Sequence, residues 1–117
     1  MKVTDASILT IVTIDGKKVV KRVNGYTINH DGIDYNIIVT DNHDYVLQDK
    51  KTLTTIYIYK DLATLKKSIK QFNKMLIGND MNLLKYIREL PYNDSTQENR
   101  KLIRAFKAKE TRERKSI

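Results

Sequence analysis

The sequence predicts an α+β fold: an antiparallel meander of five or six strands over residues 8–59, then helices near 61–77, 81–90 and 96–113. Three observations carry this. Asp15-Gly16, Asn24-Gly25 and Asp31-Gly32 fall nine and seven residues apart between β-branched runs, the spacing of hairpin turns. Residues 61–78 repeat apolar side chains every three or four positions, as one face of a helix does. Strand-like segments all precede helix-like ones, which argues against a parallel βαβ sheet and against the interleaved order of the common RNA-recognition fold.

Residues 8–14, ILTIVTI, read as a strand because β-branched side chains suit a pleated surface. Asp15-Gly16 turns the chain into residues 17–23. Asn24-Gly25 is expected to turn it again before residues 26–29, and Asp31-Gly32 once more before residues 33–40. In that last strand Ile33, Tyr35, Ile37 and Val39 alternate with the mostly polar Asp34, Asn36, Ile38 and Thr40, which defines an inner face. A polar turn at residues 41–44 leads to a short strand at 45–47 and a longer one at 53–59. One sheet face is expected to receive the first helix, and the other a second subunit or a ligand, so a homo-oligomer is anticipated.

In the first helix Leu62, Leu65, Ile69, Phe72 and Leu76 form the apolar stripe, with Lys66, Lys67, Lys70 and Lys74 outside it. Asp61 is placed to cap its start and Gly78 to close its end. Asn79-Asp80 is expected to cap a second helix carrying Leu83, Leu84, Ile87 and Leu90, which Pro91 ends. Ser95 and Glu98 have capping-box spacing for a third. Leu102, Ile103 and Phe106 anchor its beginning, but beyond Lys107 the apolar residues dwindle to alanine, so residues 107–117 are expected to project or fray as a basic tail.

A length of 117 residues, 40% hydrophobic and 31% charged, fits one globular domain with a modest core. Without cysteine there is neither a disulfide framework nor a thiolate metal site. The first residues contain too short an apolar run for a signal peptide or membrane span, so a soluble, cytoplasmic protein with no membrane partner is expected.

Charge divides unevenly. Residues 1–60 hold eight Lys or Arg against seven Asp, a net of +1, whereas residues 61–117 hold fourteen against seven acids, a net of +7. Residues 100–117 alone carry eight cations against two glutamates. Arg100, Lys101, Arg104 and Lys107, with Lys66 and Lys70 of the first helix, are therefore the candidate ligands for an anion. The competing explanation is a solvated face, and Glu110 and Glu113 break the run by pairing with nearby arginines. A more local site joins Ser95 and Thr96, at a helix start, to Arg100 and Arg104 as a phosphate pocket, with Tyr92 and Asn93 beside it to stack on and hydrogen-bond a base. Of the seven tyrosines, Tyr57 and Tyr59 share a strand face and offer either core packing or a stacking platform.

Catalytic equipment is sparse. His30 and His43 fall in turns whose Asp and Asn residues are explained by turn chemistry, and Asp41, His43 and Asp44 match no metal-binding spacing. No GxGxxG, phosphate-binding lysine loop or GxSxG elbow is present, so neither catalytic residues, metal nor cofactor is expected. The small size and the bias toward Ile, Lys, Asn and Tyr resemble accessory proteins of phages and mobile elements in AT-rich bacterial genomes. The expected function is a non-enzymatic capture of a phosphate-bearing ligand, nucleic acid first. The alternatives are a sponge for a nucleotide or cyclic nucleotide signal, and an inhibitor offering a basic face to an acidic host protein.

Overall fold

A computed structural model describes residues 2–90 and 94–115, apart from the side chains of residues 94–96 and 115. Its elements run β1 (Val3–Ile14), β2 (Lys17–His30), β3 (Ile33–Val39), β4 (Tyr45–Asp49), β5 (Thr55–Tyr59), α1 (Leu62–Ile69), α2 (Leu83–Arg88) and α3 (Asp94–Lys115). The five strands form one antiparallel sheet in sequence order, followed by helices, the α+β arrangement the sequence predicts.

Two of the three glycine dipeptides turn the chain. Asp15, Gly16, Asp31 and Gly32 all have positive φ, as the tight hairpin turn requires. Asn24-Gly25 does not turn: β2 runs unbroken from Lys17 to His30 and pairs along its length with β1. The glycine answers a different need. A Cβ at Gly25 would fall 2.2 Å from the carbonyl oxygen of Ile37 and 2.8 Å from Cδ1 of Ile8, so only a residue without a side chain lets β2 lie this close to β3.

The consequence is a long two-stranded ribbon. β3 pairs with β2 only over Gly25 to His30, so the remaining residues of the β1–β2 hairpin extend beyond the rest of the sheet. The molecule is accordingly elongated, 53 × 30 × 29 Å, with a radius of gyration of 15.7 Å against about 13 Å for a compact chain of this length.

The core lies between one sheet face and α1 and α2. Ile28, Tyr35, Ile37, Leu47 and Tyr59 from the strands meet Leu65, Ile69, Phe72, Leu84, Ile87 and Leu90. Asp61 caps α1 as expected, accepting from the Thr64 amide at 2.7 Å and the Thr64 hydroxyl at 3.0 Å. The helix ends at Ile69, however, well short of Gly78. Phe72 remains in the core, but its carbonyl accepts from the amide of Leu84 at 3.1 Å, and that of Met75 from Leu83 at 2.6 Å. The carbonyls that would continue the α1 ladder thus hold the start of α2 instead. Leu76 leaves the apolar stripe and is 73% exposed, and Gly78 takes its positive φ within a loop closed by a Leu76–Asn82 bridge. Asn82, not Asn79 or Asp80, caps α2, accepting from the Lys85 amide at 2.8 Å.

Candidate functional site: a basic groove beneath the last helix

Because side chains alternate across a strand, the residues next to the core set point to the opposite face. There Thr4, Thr27, Asn36, Gln48 and Thr55 pair in register across all five strands, a row of neutral hydrogen-bonding groups. Asn36 is buried and donates to the Gln48 side-chain oxygen at 3.1 Å. Beside this row lies α3.

The turns of α3 that carry Asn99, Leu102, Ile103, Phe106 and Glu110 are half-buried, a stripe at helical spacing, while Lys101, Arg104, Lys107 and Lys109 are exposed. The helix packs on β1 and β2, and its acids fasten it. Arg22 donates from Nε and Nη2 to the two carboxylate oxygens of Glu110 at 2.8 and 2.7 Å, and from Nη1 to the Ser7 hydroxyl at 3.2 Å. This bidentate pair holds the Glu110 carboxyl below the usual carboxylate range and raises the Arg22 guanidinium. Lys18 pairs with Glu98 at 3.3 Å, so Glu98 is engaged by β2. Arg100 donates to the backbone carbonyl of Lys51 in the β4–β5 connection. Sequence reasoning paired Glu110 with neighbours on its own helix; the partner is 88 residues away, a distance no local spacing rule reaches.

Between α3 and the sheet a groove of about 520 Å³ is walled by Arg22, Lys50, Arg100 and Lys107, with Ser7, Thr27 and Asn36 as neutral polar groups and Ile8, Leu9 and Leu53 as aliphatic ones. No described carboxylate lines it. Arg22 is committed to Glu110 and Ser7 and Arg100 is engaged by the Lys51 carbonyl, which leaves Lys50 and Lys107 as the groove's lysines. A neighbouring hollow of about 510 Å³ shares Lys50 and Arg100 and adds Lys51 and Arg88, but it includes Asp34 and Asp49, which offset part of that charge from within. Asp49 there accepts from the amide and hydroxyl of Thr52, and Asp34 from Asn29.

Of the residues singled out from sequence, Arg100 and Lys107 meet in this groove, and Lys101 and Arg104 lie on the exposed side of the same helix. Lys66 and Lys70 are elsewhere: α1 packs on β4 and β5, at the far end of the strand order from β1 and β2. Tyr92 and Asn93 lie outside the described residues, and Ser95 and Thr96 are in the first turn of α3 with side chains that are not described. Sequence reasoning missed Ser7, Thr27, Asn36 and Lys50. The alternation of Asn36 with Tyr35 and Ile37 marked it as outward-facing, but only the register brings it to Thr27 and beneath α3.

His30 lies 3.3 Å from the Asp31 carboxylate at the end of β2, and His43 occupies a left-handed turn position. Tyr57 and Tyr59 meet edge-on with centroids 5.1 Å apart, but Tyr59 is buried, so only Tyr57 of the pair is open to solvent. Among the described residues no three metal-ligating side chains cluster, and no helix is long and apolar enough to cross a membrane. No protein-family model, curated protein or solved structure matches the chain.

Proposed function

We propose that this protein is a non-enzymatic anion-capturing protein whose ligand is nucleic acid, bound along the outer side of α3. The observation that carries the reading is how the charges of α3 are apportioned. Of the three acids on α3 whose side chains are described, Glu98 and Glu110 are spent on Lys18 and Arg22 of the ribbon, and Glu113 stays exposed. Lys101, Arg104, Lys107 and Lys109 are exposed and make no ion pair with a described carboxylate. Intramolecular pairing therefore takes up two of the three described acids and leaves the exposed cations in excess over Glu113, the reverse of what a balanced solvated face needs. Ion pairs at Glu98 and Glu110 fasten that helix to the ribbon, so the cations between them are presented by a braced element, which lowers the ordering cost of binding.

Phosphate contacts of this kind hold a backbone without reading its sequence, so binding should be tolerant of sequence. Fluorescence anisotropy with short DNA and RNA, comparing the natural protein with a Lys101→Glu, Arg104→Glu, Lys109→Glu variant, tests the assignment. The account expects affinity to fall by about a hundredfold or more, as three attractive phosphate contacts become repulsive. Equal affinity in the variant would remove α3 as the binding surface.

A further inference from the structure

The groove beneath α3 has a chemistry that the outer side of the helix lacks. From it we infer a distinct subsite for a nucleoside phosphate monoester, either a free nucleotide or the phosphorylated end of a nucleic acid. The inference deepens the nucleic-acid reading and rests on it for the second of these sources.

Three kinds of wall meet in one space of about 520 Å³, within the ordinary range of small-molecule sites. Lys50 and Lys107 are exposed at their surfaces and make no ion pair with a described carboxylate, and Arg100, which donates to the Lys51 carbonyl, lines the same groove. A monoester carries about −1.5 to −2 at neutral pH and three acceptor oxygens, whereas a backbone diester carries a single charge. With no described carboxylate on its walls, a groove that carries Lys50 and Lys107 favours the more highly charged group. Thr27 and Asn36, held in register by the sheet, and Ser7 supply neutral donors and acceptors suited to a sugar hydroxyl or a base edge. Ile8, Leu9 and Leu53 supply an aliphatic wall for the base.

The lining also argues against a continuous single strand. Proteins that track one use successive aromatic rings as stacking platforms. No described aromatic side chain lines this groove, and exposed Tyr57 lies on β5, at the other end of the strand order from β1 and β2. One nucleotide, held by charge at its phosphate and by packing and edge contacts at its base, is what the walls accommodate.

The test is isothermal titration of the full chain with AMP, GMP, ATP, adenosine and inorganic phosphate, together with one oligonucleotide carrying either a 5′-phosphate or a 5′-hydroxyl. The same series is run on a Lys50→Ala, Lys107→Ala variant, both side chains being exposed so that folding is preserved. The inference expects a nucleotide to bind more tightly than adenosine or phosphate alone, and the double variant to weaken it about tenfold or more. If the phosphorylated end is the source, the 5′-phosphate oligonucleotide outcompetes its hydroxyl twin; if a free nucleotide is, the mononucleotides bind while the twins are equal. Mononucleotide affinity no better than that of inorganic phosphate, with equal oligonucleotide twins, overturns the subsite, as does a double variant that binds unchanged. Oligonucleotides that bind in a salt-sensitive way without regard to their ends, together with mononucleotides that bind no better than inorganic phosphate, would leave the outer face of α3 standing while the groove falls.

Discussion

Tyr35 is fully buried, meets Phe72 edge-on at 6.2 Å between centroids, and has no hydrogen-bond partner for its hydroxyl among the described residues. Burial, then the nearby Asp49 carboxylate, push its ionisation well above the usual phenol range. A buried hydroxyl without a partner carries its desolvation cost uncompensated. Tyr35→Phe should therefore leave the protein as stable as before or more stable by about 1 kcal/mol in urea denaturation; a loss of similar size would mean that the hydroxyl has a partner the account omits. Position 35 was legible as core from its alternation alone, whereas the state of its hydroxyl depends on residues from other strands. Asn36 makes the same point from the other face, since what it does is set by Gln48 and Thr27, which sequence order does not place beside it.

At the scale of elements, Gly25 and the fastening of α3 decide the shape. Gly25→Ala would drive a Cβ into the β3 backbone at Ile37, where no flexible side chain yields. The expected loss is about 3 kcal/mol or more in thermal or chemical denaturation, and a loss below about 1 kcal/mol would refute the close-approach explanation. α3 buries no residue fully among those described and leans on ion pairs, so its docking should depend on pH. The Glu110 carboxyl is held below its usual range by Arg22, so its contribution is complete above the ordinary carboxylate value of about 4.3 and is lost as pH falls through the lowered one. Hydrogen exchange of α3 amides should accelerate in that acid window ahead of the sheet, and Glu110→Gln should produce the same acceleration at neutral pH. Exchange of α3 that tracks the sheet at every pH would contradict this. Asn24-Gly25 explains why one hairpin was misread: the dipeptide is a turn signal only when the backbone takes positive φ, and here tight strand packing claims the glycine first. α1 was read too long for a related reason, because the amides of α2 take the carbonyls its last turns would need.

For the whole molecule, the strands-then-helices order and the uneven charge were both legible, since each is a property of long segments. The groove was not, because its walls come from β1, β2, β3, the β4–β5 connection and α3, and Lys50 and Arg100 are 50 residues apart in a chain without a local motif. The central claim is that the charge surplus of the last helix is directed outward at phosphate. It is tested most directly by oligonucleotide affinity measured across a salt series. The account predicts a linear fall of log affinity with log salt, about 0.7 for each single-strand phosphate neutralised, and a slope of about 2 or more for the exposed cations of α3. Affinity that ignores salt, or no binding at low salt, would contradict it.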